Sequence, residues 1–142
     1  MKMRCLAVDP GTTTGVALWL SPGPKPATYQ LPVNDTVDLC ADLLQGQPST
    51  LVVCESFVPR PGAKSWQPDA IETLGVLRHL ARWNGHKFEL QSPADAKRFS
   101  TDAKLRKLEW YQTTVGGHIN DALRHLLLAL VRHQQIDLGR LT

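Results

Sequence analysis

The stretch Arg4-Cys5-Leu6-Ala7-Val8-Asp9-Pro10-Gly11-Thr12-Thr13-Thr14-Gly15-Val16-Ala17-Leu18-Trp19-Leu20 decides how the rest of the chain is read. Arg4 to Val8 is a short apolar run that reads as a strand, and Asp9-Pro10-Gly11 ends it in a turn. Thr14 to Leu20, rich in Val, Leu and Trp, reads as a second strand. A Pro/Gly loop, Ser21 to Pro26, leads to a weaker third strand over Ala27 to Val33. Strands joined this closely predict an antiparallel meander. Asp9 then stands at a strand end, beside a turn of hydroxyls and backbone amides from Gly11 to Gly15. Asp-Pro-Gly is also an ordinary turn, so this acid alone decides nothing.

Beyond the meander the period changes. Asp35 to Leu44 predicts a helix, with Val37, Cys40, Ala41 and Leu44 inward and Asn34 or Asp35 as its cap. Leu51 to Cys54 is a continuous apolar run after a helix, which reads as a buried parallel strand ending at Glu55. Ser56 to Gln67 is a loop carrying Phe57, Arg60, Lys64 and Trp66. Pro68 to Asn84 predicts a helix with Ile71, Leu74, Leu77 and Leu80 inward, opened by its proline and closed by Asn84-Gly85. Lys87 to Gln91 is a further strand, Ser92-Pro93 opens a short helix, and Ala103 to Tyr111 makes another. Gly116-Gly117 precedes a final helix from about His118 to Gln134. The order predicts one α/β domain over residues 1–142, a mixed sheet with helices on its faces.

The acids fall at telling places in this order. A Glu seldom ends a strand as apolar as Val52-Val53-Cys54 without a partner or water. If that strand runs parallel to the first, Asp9 and Glu55 emerge at one end of the sheet. Two close carboxylates repel, and a cation between them relieves the repulsion. On the final helix Ile119, Ala122, Leu123, Leu126, Leu127 and Leu130 form a core stripe, and His118, Asp121 and His125 line an adjoining face. Asp121 also suits a helix start electrostatically, and His118 or Asn120 suits a cap. Oxygen-rich ligands of this kind fit Mg²⁺ or Mn²⁺, and two such ions can serve the attacking and leaving oxygens of a phosphodiester.

Bulk properties bound the class. The chain has 142 residues, 42% hydrophobic and 20% charged, which is enough to bury a core without metal or disulfide staples. A net charge of +3 permits nucleic-acid binding without arguing for it. Cys5, Cys40 and Cys54 lie among apolar residues at no zinc or redox spacing, so buried free thiols and a reducing cytoplasm are expected. No run reaches membrane-spanning length, and Met1 to Leu6 lacks the apolar segment of a signal peptide.

At this point the ordered motifs resemble the ribonuclease H-like nucleases, and among them the RuvC-type Holliday junction resolvases, notably the small phage-encoded ones. The resemblance rests on Leu6-Ala7-Val8-Asp9-Pro10-Gly11, on Val52-Val53-Cys54-Glu55 and on His118-Ile119-Asn120-Asp121-Ala122, in that order over nearly the whole chain. A weaker piece, Ser92-Pro93-Ala94-Asp95-Ala96-Lys97, resembles the family's segment ending in a DNA-contacting lysine, and Lys104 resembles a second basic position. The resemblance implies a five-stranded mixed sheet, a catalytic metal site for Mg²⁺ or Mn²⁺, two ions per site, at Asp9, Glu55, His118 and Asp121, and a homodimer acting on four-way DNA junctions. Such a protein belongs in the cytoplasm of a bacterium or a phage-infected host. Many members carry an acid where this chain has His118 and some carry His, so the resemblance leaves the site intact but implies that His118 acts on water or phosphate more than on metal. The glycine-rich turn usual before the second lysine is replaced by Ser100-Thr101-Asp102-Ala103.

Substrate contacts are expected from Lys97, Arg98, Lys104, Arg106 and Lys107, opposed by Asp102, and from Arg60, Lys64 and Phe57 in the loop after Glu55. Arg124 and His125 are candidates for the scissile phosphate, and the apolar part of the Pro68–Asn84 helix for a dimer interface. Each of the basic residues is equally readable as part of a solvated helix face, and Phe57 as core. Three rival functions remain: a nuclease acting on RNA/DNA hybrids, a non-catalytic nucleic-acid-binding or scaffold domain of the same fold, against which the full set of candidate ligands argues, and an actin-like or sugar-kinase-like ATP binder. The last class needs two such domains to enclose nucleotide.

Overall fold

Alternation along the strands decides how the sheet is covered. The computed structural model describes residues 2–57, 67–113 and 115–142. Its sheet has five strands, β1 (Arg4–Asp9), β2 (Thr13–Leu20), β3 (Ala27–Pro32), β4 (Thr50–Glu55) and β5 (Lys87–Gln91), in the order β3-β2-β1-β4-β5. β1, β2 and β3 pair antiparallel, and β4 and β5 run parallel to β1, so the expected meander followed by parallel strands is present. The helices are α1 (Val33–Leu44), α2 (Pro68–Trp83), α3 (Pro93–Phe99), α4 (Asp102–Lys107) and α5 (His118–Arg132).

Successive strand residues point to opposite faces. Cys5, Ala7, Ala17, Trp19, Leu51 and Val53 therefore pack with the apolar stripe of α5, while Leu6, Val8, Val16, Leu18, Val52 and Cys54 pack with α1 and α2. Both faces of β1, β2 and β4 are covered, which is why those strands are continuously apolar. Each fully buried aliphatic side chain here contributes roughly 1.5–3 kcal/mol relative to exposure. Cys5, Cys40 and Cys54 are buried free thiols, as expected. Among the described residues, no helix is long and apolar enough to cross a membrane.

Three local expectations are corrected. α1 begins at Val33, and neither Asn34 nor Asp35 caps it; Pro32 holds the entry and the Thr36 hydroxyl donates to its carbonyl at 3.0 Å. Thr36, Cys40 and Leu44 are its buried residues, with Val37 and Ala41 only half-buried. α2 buries Ala70, Thr73, Leu77 and Ala81, and Ile71 is 37% exposed: the helix turns its small side chains to the sheet, so larger Leu74 and Leu80 flank the contact. α4 stops at Lys107 rather than Tyr111. Glu109 adopts a left-handed φ of 60°, and the amides of Glu109 and Trp110 return to the carbonyls of Arg106 and Leu105. That reversal buries Trp110, whose indole N–H donates to the Pro24 carbonyl at 3.1 Å.

Candidate functional site

Strand parity builds the site. Asp9 continues the Cys5–Ala7 face and Glu55 the Leu51–Val53 face, so both carboxylates point to the side covered by α5. In the parallel β1–β4 register Val8 lies beside Cys54, which sets Asp9 next to Glu55 at the C-terminal ends of adjacent strands. α5 reaches the same place from above. Gly15 pairs with Asp9 across β1 and β2, and a Cβ there would lie 1.9 Å from the His118 carbonyl oxygen. Only a residue without a side chain lets the helix start close down on the sheet beside Asp9.

Two glycines and an asparagine aim the start of α5. Gly116 and Gly117 take φ values of 85° and 70°, and a Cβ on Gly116 would meet the His118 ring at 2.9 Å. Asn120 is buried and is not a cap. Its amide accepts from the Gln112 backbone N–H at 3.0 Å and donates to the Gln112 carbonyl at 2.6 Å, tying the preceding loop to the helix.

Asp9, Glu55, His118 and Asp121 all line one open cavity of about 450 Å³, walled also by the Pro10–Thr13 turn and the start of α2. His118 Nδ1 stands 3.8 Å from Asp9 Oδ2. Asp9 is only 8% exposed. Burial, followed by a hydrogen bond to Glu55 and the charges of Glu55 and Asp121, raises its pKa to about 9. Burial pushes Glu55 up too, but hydrogen bonds from His125 and Asp9 outweigh it and its pKa is lowered. The two acids are thus pushed apart, Asp9 toward its protonated form and Glu55 toward its ionised form. The positive charge of Lys97 favours the ionised form of both acids, which puts it within electrostatic reach of this centre.

The other predicted contacts are distributed differently. Arg124 donates to the Ser100 carbonyl at 2.7 Å, and its guanidinium pairs with Asp102 at 2.5 Å and with Asp121 at 3.5 Å. Asp102 therefore answers Arg124 rather than the basic cluster, and Arg124 braces Asp121. Lys104 lies over the Phe99 ring at 3.9 Å and donates to the Phe99 carbonyl. Arg106 lies over Tyr111 at 3.8 Å, and Lys107 donates to the Thr142 carbonyl. His125 is 1% exposed and sits behind Glu55, out of reach of a phosphate in the cavity. Phe57 is half-buried just past Glu55. Arg60, Lys64 and Trp66 lie outside the described residues.

Two neighbours of the site escaped sequence reasoning. Asp69, in the first turn of α2, adds an acid to the cavity wall and accepts from the Thr12 hydroxyl at 3.4 Å. Gln91 ends β5 opposite Glu55 and contacts His125. The signal for the first was a Pro-Asp helix start; the second carried none.

The donor chemistry fits a hard divalent cation: carboxylate oxygens from Asp9, Glu55 and Asp121 with the His118 imidazole at one cavity. Burial first, and then the neighbouring carboxylates, raise the pKa of Asp9, and a cation bound beside it would favour its ionised form. Among the described residues, no three such side chains stand closed around a point as a finished cation cage.

No protein-family profile matches the sequence, and no curated protein sequence matches it. Solved structures do. The described fold is ribonuclease H-like: a five-stranded mixed sheet with flanking helices. More narrowly it is RuvC-like. It is similar to Thermus thermophilus RuvC at a TM-score of 0.64 and 17% identity, covering 93% of this chain and 97% of that one. It is also similar to T. thermophilus RuvC in complex with a Holliday junction substrate, at a TM-score of 0.69 and 17% identity, covering 94% of this chain and 96% of that one.

Proposed function

We propose that this chain is a divalent-metal-dependent endonuclease that hydrolyses phosphodiester bonds in Holliday junctions or other branched DNA. The observation that carries the reading is the convergence of Asp9 and Glu55, at the ends of adjacent parallel strands, on the cavity that His118 and Asp121 line from α5. The T. thermophilus protein of similar fold is seen with a Holliday junction, which supports branched DNA as the substrate class.

In this reading Asp9, Glu55, Asp121 and His118 hold Mg²⁺ or Mn²⁺, two ions per site. The bound cations supply Lewis acidity and ease the ionisation of water at the scissile phosphate. Asp9, held toward its protonated form, would have to give up a proton to bind a cation, so metal affinity would rise with pH. Arg124 keeps Asp121 oriented, and His118, at the cavity wall beside Asp9, is placed to move a proton at the attacking or leaving oxygen. Lys97 offers its charge to a phosphate approaching the carboxylates, with Lys104, Lys107, Arg60, Lys64 and Phe57 as further DNA contacts. A four-way junction presents two symmetric strands, so the active form is a homodimer, with exposed Ile71, Val76 and Trp83 of α2 as its apolar surface. The setting is the cytoplasm of a bacterium or a phage-infected cell.

The test is the purified protein with Mg²⁺ or Mn²⁺ on four-way, Y-shaped, linear duplex and RNA/DNA hybrid substrates, beside Asp9→Asn. Cleavage of branched DNA, abolished in Asp9→Asn, is expected. Undiminished cleavage by Asp9→Asn sinks the mechanism, and cleavage of the hybrid alone sinks the junction assignment.

A further inference from the structure

His125 is buried beside the candidate site, at 1% exposure, and its ring touches side chains of two strands at once. Nδ1 lies 3.0 Å from Gln91 Oε1, and Nε2 lies 3.4 Å from Glu55 Oε1. Strand parity explains the line-up. Gln91 and Glu55 are register partners on β5 and β4, and both face α5, where His125 descends one turn below Asp121. An imidazole in a core is costly unless both nitrogens are partnered.

The amide of Gln91 tells which way the hydrogen bonds run. As placed, its Nε2 is buried with no partner. A half-turn of that amide sets the N–H on His125 Nδ1, an exchange that leaves the cheaper orphan, a carbonyl oxygen. The imidazole then carries its hydrogen on Nε2, pointing at Glu55. The chain is Gln91 N–H to Nδ1, then Nε2–H to the Glu55 carboxylate.

We propose that His125, anchored by Gln91, is a positioning residue that fixes the Glu55 carboxylate for metal binding; this rests on the metal-dependent nuclease reading above. Glu55 ends its strand half-exposed at a cavity wall, and without a donor behind it the carboxylate is free to turn among rotamers. The Nε2–H ties down one oxygen and leaves the other for the cation. Outer partners that orient a ligand in this way commonly change metal affinity or activity by about 10–100-fold when removed.

The experiment compares wild type, His125→Leu, His125→Gln and Gln91→Met by calorimetric titration with Mn²⁺ and by single-turnover cleavage of a four-way junction. His125→Leu keeps the volume and loses the donor; His125→Gln keeps an N–H where Nε2 stood. Expected is a Mn²⁺ affinity about 10–100-fold weaker in His125→Leu, with kcat falling alike and KM for DNA unchanged, and recovery to within about fivefold of wild type in His125→Gln. Gln91→Met, which leaves the ring unanchored, weakens Mn²⁺ in the same direction by about tenfold and serves alone if His125→Leu does not fold. Wild-type Mn²⁺ affinity in Gln91→Met and His125→Leu overturns the proposal, as does equal loss in His125→Leu and His125→Gln, since packing rather than the donor would then be responsible. Wild type that binds Mn²⁺ and cuts nothing removes the nuclease reading while the titration still judges His125. Wild type that binds no Mn²⁺ removes both.

Discussion

Gly15→Ala is the sharpest test of how this site is assembled. The substitution adds one methyl group on the face of β2 that α5 covers, opposite Asp9. That Cβ would lie 1.9 Å from the His118 carbonyl oxygen and 2.4 Å from its carbonyl carbon. Real contacts essentially never fall below 3.0 Å, so the first turn of α5 must lift by at least 1.1 Å. Both obstructing atoms are backbone, and no side-chain rotation relieves them. Overpacking of this kind costs about 1–3 kcal/mol, and a 1 Å displacement of catalytic groups costs about 10²-fold in rate. His118 and Asp121 move together, because both ride the displaced turn. The expected result is a melting temperature lower by several degrees, at about 3 °C per kcal/mol for a chain of this size, and junction cleavage reduced about 100-fold at saturating Mg²⁺. Far-ultraviolet circular dichroism should be unchanged. A Gly15→Ala protein that melts and cuts like wild type would refute the claim that the helix start is docked against the sheet here.

Other outcomes follow from the same geometry. Folding raises the pKa of Asp9, so the folded chain holds a proton that the unfolded chain releases; without metal, stability should therefore fall as pH rises from the ordinary carboxylate range toward about 9. Asp9→Asn should flatten that fall and raise the melting temperature in EDTA at pH 8 while abolishing cleavage, and Mn²⁺ should stabilise wild type more at pH 8 than at pH 5; thermal scans across pH decide it, and an unchanged slope in Asp9→Asn counts against the carboxyl pair. His118→Ala should lose about 10²–10⁴-fold in kcat, whereas His118→Asp, which keeps a metal-binding group at that place, should retain Mn²⁺ binding; equal Mn²⁺ loss in the two variants would mean the imidazole is not interchangeable with a carboxylate. Lys97→Ala should weaken junction binding and reduce the salt slope by about one, and Lys104→Ala should do less, because its ammonium already rests on Phe99; binding titrations from low to moderate salt distinguish them, and a larger effect at Lys104 reverses the assignment.

Much of the fold was legible before any coordinates. Arg4 to Val8 reads as a short apolar strand, Leu51 to Cys54 as a buried one, and the Ile119–Leu130 stripe has one inward side. Local pattern also located the strand-end acids and the two glycines that open α5. What it misjudged were matters of neighbours: α2 turns Ala70 and Thr73 inward because small side chains let it approach the sheet, and α4 stops early because Trp110 must be buried. Asp102 read as an opponent of the basic cluster, yet the fold gives it to Arg124 from another helix.

The sequence by itself determined which residues could carry chemistry and that two acids end apolar strands, because periodicity and burial of apolar surface are local physics. Only the tertiary structure decided that those acids share a face and stand close enough to shift one another's pKa. That depends on the register of β1 against β4, and a slip of one residue would send Glu55 to the opposite side. Only it showed that Gly15 is the gap into which α5 descends, and that His125 lies behind Glu55 rather than before a phosphate. Those facts live in the contacts of residues tens of positions apart, which no window of sequence can hold.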